Sequence, residues 1–517
     1  MRLSTTDPNK SSDIANSMQW LCAERGFFIV KSVSDAPRVP CKTRVQRRYA
    51  AVSVSSLADK HWQQQLSNSV LLLLVLKMRT PLLCLQRRLC STALMSRSFV
   101  SQGRASRSFA SQEVGRRQLS SPSVGENRAV GYWLLGCGGM VGGMVCVGGL
   151  TRLTRSGLSM TDWKLQGSLP PLTQSDWERE FERYKQYPEW EQRRSMDIDE
   201  FKAIYWWEYA HRMAGRAVGL CFVGPLIYFG VRGQLPSSIQ PQLAVLFGLG
   251  GTQGFVGWWM VKSGLDEGIR GQKKEIRVSP YRLATHLGLA FTTYSLLLWT
   301  ALDVLSPPTT LPRHAAIVLR PVALASCCVV FATALSGAFV AGNDAGRAFN
   351  TFPTMDGQWF PDGLTQLQPA YRNLAENTAT VQFVHRLLAA TSTASVLGLA
   401  SAALPIWLSL PLAIRQALAL AGLALTAQVS LGISTLLLYV PIPLAAAHQV
   451  GSLFLLTTLL KTAHLLRPAS VSLTAQTTTG IAAVGCLPFA LFLSSASAAA
   501  CHDSDEVAVT QHELDFN

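Results

Sequence analysis

The sequence predicts an all-α integral membrane protein: eight transmembrane helices in two tandem, parallel-related four-helix bundles, with a candidate ninth span near the C-terminus. Three observations carry that prediction. Apolar residues come in long uncharged blocks, such as Ala129–Leu150 with 22 residues and Gln416–Val440 with 25. Roughly 20 residues at about 1.5 Å each cross the hydrocarbon of a bilayer. Only 15% of the 517 residues are charged and the mean hydropathy is +0.21, whereas a soluble globular chain carries about 25% charge. Finally, the last four blocks repeat the first four, motif by motif.

In order, the blocks cover 129–150, 209–230, 242–261, 281–303, 316–342, 381–405, 410–439 and 442–465. The second is the least pure, because it carries His211, Arg212 and Arg216. A charge at the centre of an isolated span costs roughly 2.5–3.5 kcal/mol on insertion scales. This helix is therefore expected to turn those groups into a bundle or lift them to the interface. The block Gly480–Ala500, rich in Ala and Ser, is the candidate ninth span within a tail covering 471–517. Eleven cysteines include no CxxC pair, and adjacent Cys327 and Cys328 share one helix. Neither a zinc site nor a disulfide framework is expected.

Ahead of the first span, residues 78–112 carry Arg79, Arg87, Arg88, Arg97, Arg104 and Arg107, many serines and no Asp or Glu. That composition reads as a mitochondrial transit peptide. Residues 78–128 are accordingly expected to be a transit peptide and linker that begins at Met78, and residues 1–77 an upstream extension. The bundles are expected over 129–305 and 306–470.

The duplication is explicit in the residues. Glu208-Tyr209-Ala210-His211-Arg212 pairs with Gln382-Phe383-Val384-His385-Arg386, and Gln253 has its counterpart in Gln428. Ala284-Thr285-His286 lines up with Ala446-Ala447-His448, and Gly148-Gly149-Leu150 with Gly337-Ala338-Phe339. An even number of spans per repeat makes the halves parallel. It also places His211, His286, His385 and His448 near one membrane face, each at the start of every second span. Neutral imidazoles on facing helices are the usual axial ligands of haem iron, so the pairs His211/His286 and His385/His448 predict two haem sites. His61, His314, His464, His502 and His512 have no such counterparts and are expected to be bystanders.

One position breaks the symmetry. Glu208 lies three residues before His211 on the same helix face, and its counterpart is the neutral Gln382. A haem that only carries electrons needs two ligands and an apolar box. One that is chemically altered needs a group that moves protons or stabilises developing positive charge. The asymmetry assigns chemistry to the first half, against the plainer reading of a Glu208–Arg212 i,i+4 ion pair. Arg212 and Arg386 could fork onto haem propionates or anchor at the interface. The long 151–207 loop, with its tryptophans, and the shorter 343–380 loop lie on the histidine side and could cap haem edges.

At these residues the chain resembles haem A synthase of the mitochondrial and alphaproteobacterial type. The motifs are Gly149-Leu150-Thr151-Arg152-Leu153-Thr154, Ser156-Gly157-Leu158-Ser159-Met160, Glu208-Tyr209-Ala210-His211-Arg212, Val261-Lys262-Ser263-Gly264-Leu265, Leu335-Ser336-Gly337-Ala338-Phe339-Val340-Ala341-Gly342 and Leu431-Gly432-Ile433-Ser434-Thr435-Leu436. The resemblance covers roughly 129–467. It implies an oxidoreductase of the mitochondrial inner membrane that converts the C8 methyl of haem O to the formyl of haem A, for cytochrome c oxidase. It also implies that His211 and His286 hold substrate iron, that His385 and His448 hold a permanent haem b, and that Glu208 assists oxidation. The histidines would face the intermembrane space. Family analogy further names ferredoxin and haem O synthase as partners, beside haem O and the lipid bilayer. A homo-oligomer is compatible with the sequence, and no nucleic-acid partner is expected. The alternatives are a two-haem electron-transfer cytochrome and a haem transporter or chaperone.

Overall fold

The computed structural model describes residues 124–266, 276–306 and 311–467, which fall within one compact unit. The expected upstream extension, nearly all of the transit stretch and the 480–500 block lie outside the described residues. Those described are helical, and the only strand-like pairing among them is an isolated bridge between Met355 and Gln358. The long helices are α1 (Val124–Leu153), α2 (Gln174–Tyr184), α3 (Ile198–Val231), α4 (Gln240–Lys262), α5 (Pro280–Leu305), α6 (Arg313–Gly342), α7 (Thr378–Ala403), α8 (Leu412–Leu437) and α9 (Ile442–Leu465). Seven of them, all but α2 and α4, contain a segment long and apolar enough to cross a membrane. Helix α4 spans 23 residues, but Thr252, Gln253 and its glycines dilute its apolar run.

Packing follows the duplication. In the first half α1 packs on α3 and α5, and α4 on α5; in the second half α6 packs on α7 and α9, and α8 on α9. The halves meet where α5 contacts α6 and where α9 contacts α1 and α5. Helix α5 lies deepest, with 67% of its apolar window buried, against 6% for α3. Aliphatic residues such as Leu220, Ile227 and Val231 on α3 point outward, as lipid-facing positions do.

Helix α3 differs from the expected 209–230 span by starting at Ile198. The reason is local. The Asp197 side chain caps the helix by accepting from the backbone N–H groups of Asp199 and Glu200. The added turns carry an aromatic face. Phe201 and Tyr205 bury against Trp177, Phe181 and Tyr184, which recur at i, i+4 and i+7 on amphipathic α2. A capping box between Thr173 and Asp176 starts α2. This aromatic cluster seats the 151–207 loop over the end of the first half.

Two charged clusters join the halves, one at each end. On the histidine side, Asp344 of the second half accepts Arg152 at 3.3 Å, Arg277 at 3.4 Å and Arg155 at 3.9 Å, all from the first half. At the far end, Asp303 of the first half accepts His464 and Arg467 of the second, each at 3.0 Å. His464, expected to be a bystander, is thus buried in an inter-half contact. Each half lends one carboxylate to basic side chains of the other. Between these ends, Gln449 donates to the Val145 carbonyl at 2.9 Å and the hydroxyls of Tyr294 and Thr457 meet at 2.7 Å.

Candidate functional site

The four paired histidines border one continuous cavity of about 1470 Å³, with Glu208, Arg212, Gln253, Gln382, Arg386 and Gln428 also on its wall. Pockets for one small molecule typically hold about 300–1,000 Å³. This space is larger than one such pocket.

Each histidine leans on a glycine of the preceding long span. A Cβ built on Gly148 of α1 would lie 3.0 Å from Cε1 of His211, and one on Gly257 of α4 would lie 3.0 Å from Cε1 of His286. In the second half the distances are 3.3 Å from Gly337 to His385 and 2.8 Å from Gly432 to His448. The absence of a side chain at these four ledges lets each imidazole lie directly against its neighbouring helix. Gln253 and Gln428 brace the arrangement identically, donating to the backbone carbonyls of His286 at 3.1 Å and His448 at 3.0 Å.

The imidazoles differ in their second contacts. Nδ1 of His211, His286 and His448 is buried without a hydrogen-bond partner. Nδ1 of His385 meets Ser336 Oγ at 2.7 Å. Ser336 spends its single hydroxyl proton on the Thr333 carbonyl at 2.7 Å, so its oxygen must accept from His385. In that arrangement His385 carries its proton on Nδ1, which leaves the Nε2 lone pair for a metal. The rings of His385 and His448 stand 6.4 Å apart, centre to centre. Two imidazole–metal bonds of roughly 2.0–2.1 Å, each extended by about 1.1 Å to the ring centre, span about 6.3 Å. The separation is compatible with one metal ion shared by the two rings, whose planes stand 85° apart.

Glu208 is buried, 2% exposed. One of its oxygens accepts from the Ser159 hydroxyl at 2.7 Å and the Met160 backbone N–H at 2.8 Å; the other accepts from Arg212. The i,i+4 ion pair considered from the sequence is therefore present, alongside the loop contacts. At the equivalent position Gln382 accepts from Arg386 at 3.1 Å through its oxygen. Its amide nitrogen donates to the carbonyls of Ala345 and Ala348. The loop after α1 offers donors to a carboxylate, and the loop after α6 offers acceptors to an amide.

Arg212 also donates to the carbonyls of Asp162 at 2.7 Å and Met160 at 2.8 Å. Arg386 donates to Phe349 at 2.7 Å and Thr354 at 3.0 Å, while its Nε is buried without a partner. Both arginines hold the loops that close over the histidines. The sequence had not singled out Ser336, Glu189 or the Asp344 cluster, although Ser336 and Arg152 lie inside motifs already recognised. The five cysteines among the described residues are unbridged, and Cys327 is buried.

Fold and site together define a multi-span helical membrane protein with two pairs of imidazoles on the wall of one large cavity. A family model, COX15-CtaA, described as cytochrome oxidase assembly protein, matches residues 131–460. The chain belongs to this family. Heme A synthase COX15 of Arabidopsis thaliana is 50% identical over 353 residues, covering 66% of this chain and 76% of the relative. Heme A synthase COX15 of Homo sapiens is 50% identical over 337 residues, 64% of this chain and 80% of the relative. Heme A synthase of the bacterium Rhodospirillum centenum is 48% identical over 344 residues, 66% of this chain and 89% of the relative.

Proposed function

We propose that this chain is a haem A synthase, an oxidoreductase that converts the C8 methyl of haem O to a formyl group and so supplies haem A for cytochrome c oxidase. In this reading eight spans form two parallel-related four-helix bundles, with α4 completing the first. Haem O is held as substrate between His211 and His286. A resident haem b sits between His385 and His448 and supplies electron-transfer capacity when bound. The chain is placed in the mitochondrial inner membrane, a reading supported by the Arg- and Ser-rich stretch at 78–112. Ferredoxin and haem O synthase are the partners the family resemblance implies.

The observation that carries this division is the opposite polarity around Glu208 and Gln382. A carboxylate with two loop donors and an arginine is positioned beside the first pair of imidazoles, where it can take a proton or stabilise positive charge developing on substrate. Gln382 can do neither. The Ser336–His385 contact adds to it, because the matching first-half residue is Val147, which offers no such partner. A ligand fixed in tautomer and orientation suits a permanent cofactor; a less constrained pair suits a molecule that must leave. Arg212 and Arg386 hold the capping loops, and the unpartnered Nε of Arg386 is available to a haem propionate.

The test is to supply purified protein with haem O and a reducing system, then extract and identify the haems. Haem A formed by the native chain and lost in Glu208→Gln is the expected result. Stable haem b in both halves with no product would instead establish a two-haem cytochrome. Rapid, reversible exchange of haem at both sites would establish a carrier.

A further inference from the structure

Glu189 is an acidic residue of the 151–207 loop that the activity above does not use. It sits in a short turn, Pro188–Gln192, between α2 and α3. It is 7% exposed, yet it shares the wall of the cavity with Glu208 and His211. Its Oε1 lies 3.6 Å from Arg193 Nε, a long approach for an ion pair, and its Oε2 is buried without a hydrogen bond of ordinary geometry, beside the Tyr184 hydroxyl, which is likewise unsatisfied. An ionised carboxylate left in that state is costly, so such a group readily accepts a proton. The charged and titratable groups around it are Arg193 in its own turn, Tyr184 from α2, Arg155 after α1, and Glu208 from α3. Burial pushes the Glu189 carboxyl up to about 7; Arg193 opposes the rise and the nearby Glu208 carboxyl adds to it.

This matters because a group that takes a proton in each turnover has to lose it before the next. Both oxygens of Glu208 are engaged by Ser159, Met160 and Arg212. Glu189 has, on the same cavity, an oxygen not engaged by any cation, and it belongs to the loop that joins α1 to α3. We propose that Glu189 is the proton-exchange carboxyl of the site, accepting on Oε2 protons released beside Glu208 and passing them to water at the outer loop. The inference rests on the haem A synthase reading for the source of those protons. The exchange itself is a reversible protonation that needs no other reactant.

Two measurements on the purified full chain test it. Infrared difference spectra across pH 5–9 should show a buried carboxyl titrating near neutrality and exchanging in D2O, with the band absent in Glu189→Gln. Turnover of haem O should rise with pH through about 7, because the carboxylate is the accepting form. Glu189→Gln should lower the rate at least roughly tenfold and remove that limb, with bound haem b and its spectrum unchanged; Glu189→Asp should restore the limb. A carboxyl band that survives Glu189→Gln would overturn the assignment. So would equal rate losses in the Gln and Asp variants with the pH profile intact, since that pattern marks a structural ion pair. A titrating, exchanging Glu189 in a protein that makes no haem A would leave proton exchange standing and defeat the haem A reading instead.

Discussion

The two halves share helix order, packing partners, glycine ledges and bracing glutamines, yet they differ at a few polar contacts beside the histidines. At Glu208 the loop turns a hydroxyl and an N–H inward; at Gln382 it turns two carbonyls inward. At His385 a serine fixes the imidazole, and at His211 the equivalent helix offers valine. Duplication supplied two equal mounts. In the proposed function, a handful of polar atoms makes one of them reactive and the other permanent.

The strongest way to break this comparison is to remove one ligand from each half. His385→Ala should abolish resident haem b, whereas His211→Ala should keep it and lose haem A formation altogether. Pyridine-haemochrome spectra and extracted-haem analysis read both, and equal loss of the same haem in the two variants would end the division of labour. Next in size is exchange of the asymmetric pair. In Glu208→Gln either amide orientation sets an N–H against a donor, Ser159 and Met160 on one side or Arg212 on the other. The expected cost is about 1–3 kcal/mol of stability and roughly 10²–10³ in turnover. In Gln382→Glu a carboxylate would face the Ala345 and Ala348 carbonyls, a larger destabilisation of roughly 3 kcal/mol that thermal melting should detect. A Gln382→Glu protein as stable as the native one would show that loop polarity does not discriminate.

Smaller effects sharpen the same contrast. Ser336→Ala should weaken haem b retention by about 10–100-fold, measured by competition with apomyoglobin, while leaving haem O binding unchanged. The ledges should be graded by their clearances. Gly432→Ala, where the new atom would lie 2.8 Å from His448, should disturb the haem b spectrum more than Gly337→Ala, where it would lie 3.3 Å from His385. The reverse order would mean that the ledges do not set imidazole position.

Much of this was legible in the residues because repetition makes function visible. Four histidines at matched places, and Glu208 opposite Gln382, stand out only when one half is laid on the other. The same method is blind to whatever joins the halves. His464 has no counterpart and so looked idle, yet it meets Asp303 across the interface. The early start of α3 was hidden for another reason. Its first turns are amphipathic rather than uniformly apolar, and their aromatic face makes sense only once Trp177, Phe181 and Tyr184 are folded onto it. The role of Ser336 depends on a third party, the Thr333 carbonyl that occupies its proton. No pairwise motif conveys that.

The glycine ledges carry a wider consequence. Because each imidazole rests on the backbone of an adjacent helix, ligand position and helix spacing are a single variable at four places. A chain whose helices have inserted but not yet closed to their final separation would hold its imidazoles off register by the same small distance. Under the proposed ligation, haem capture would work as a gauge of assembly: only a bundle drawn to its proper width could grip the iron, and gripping it would hold that width.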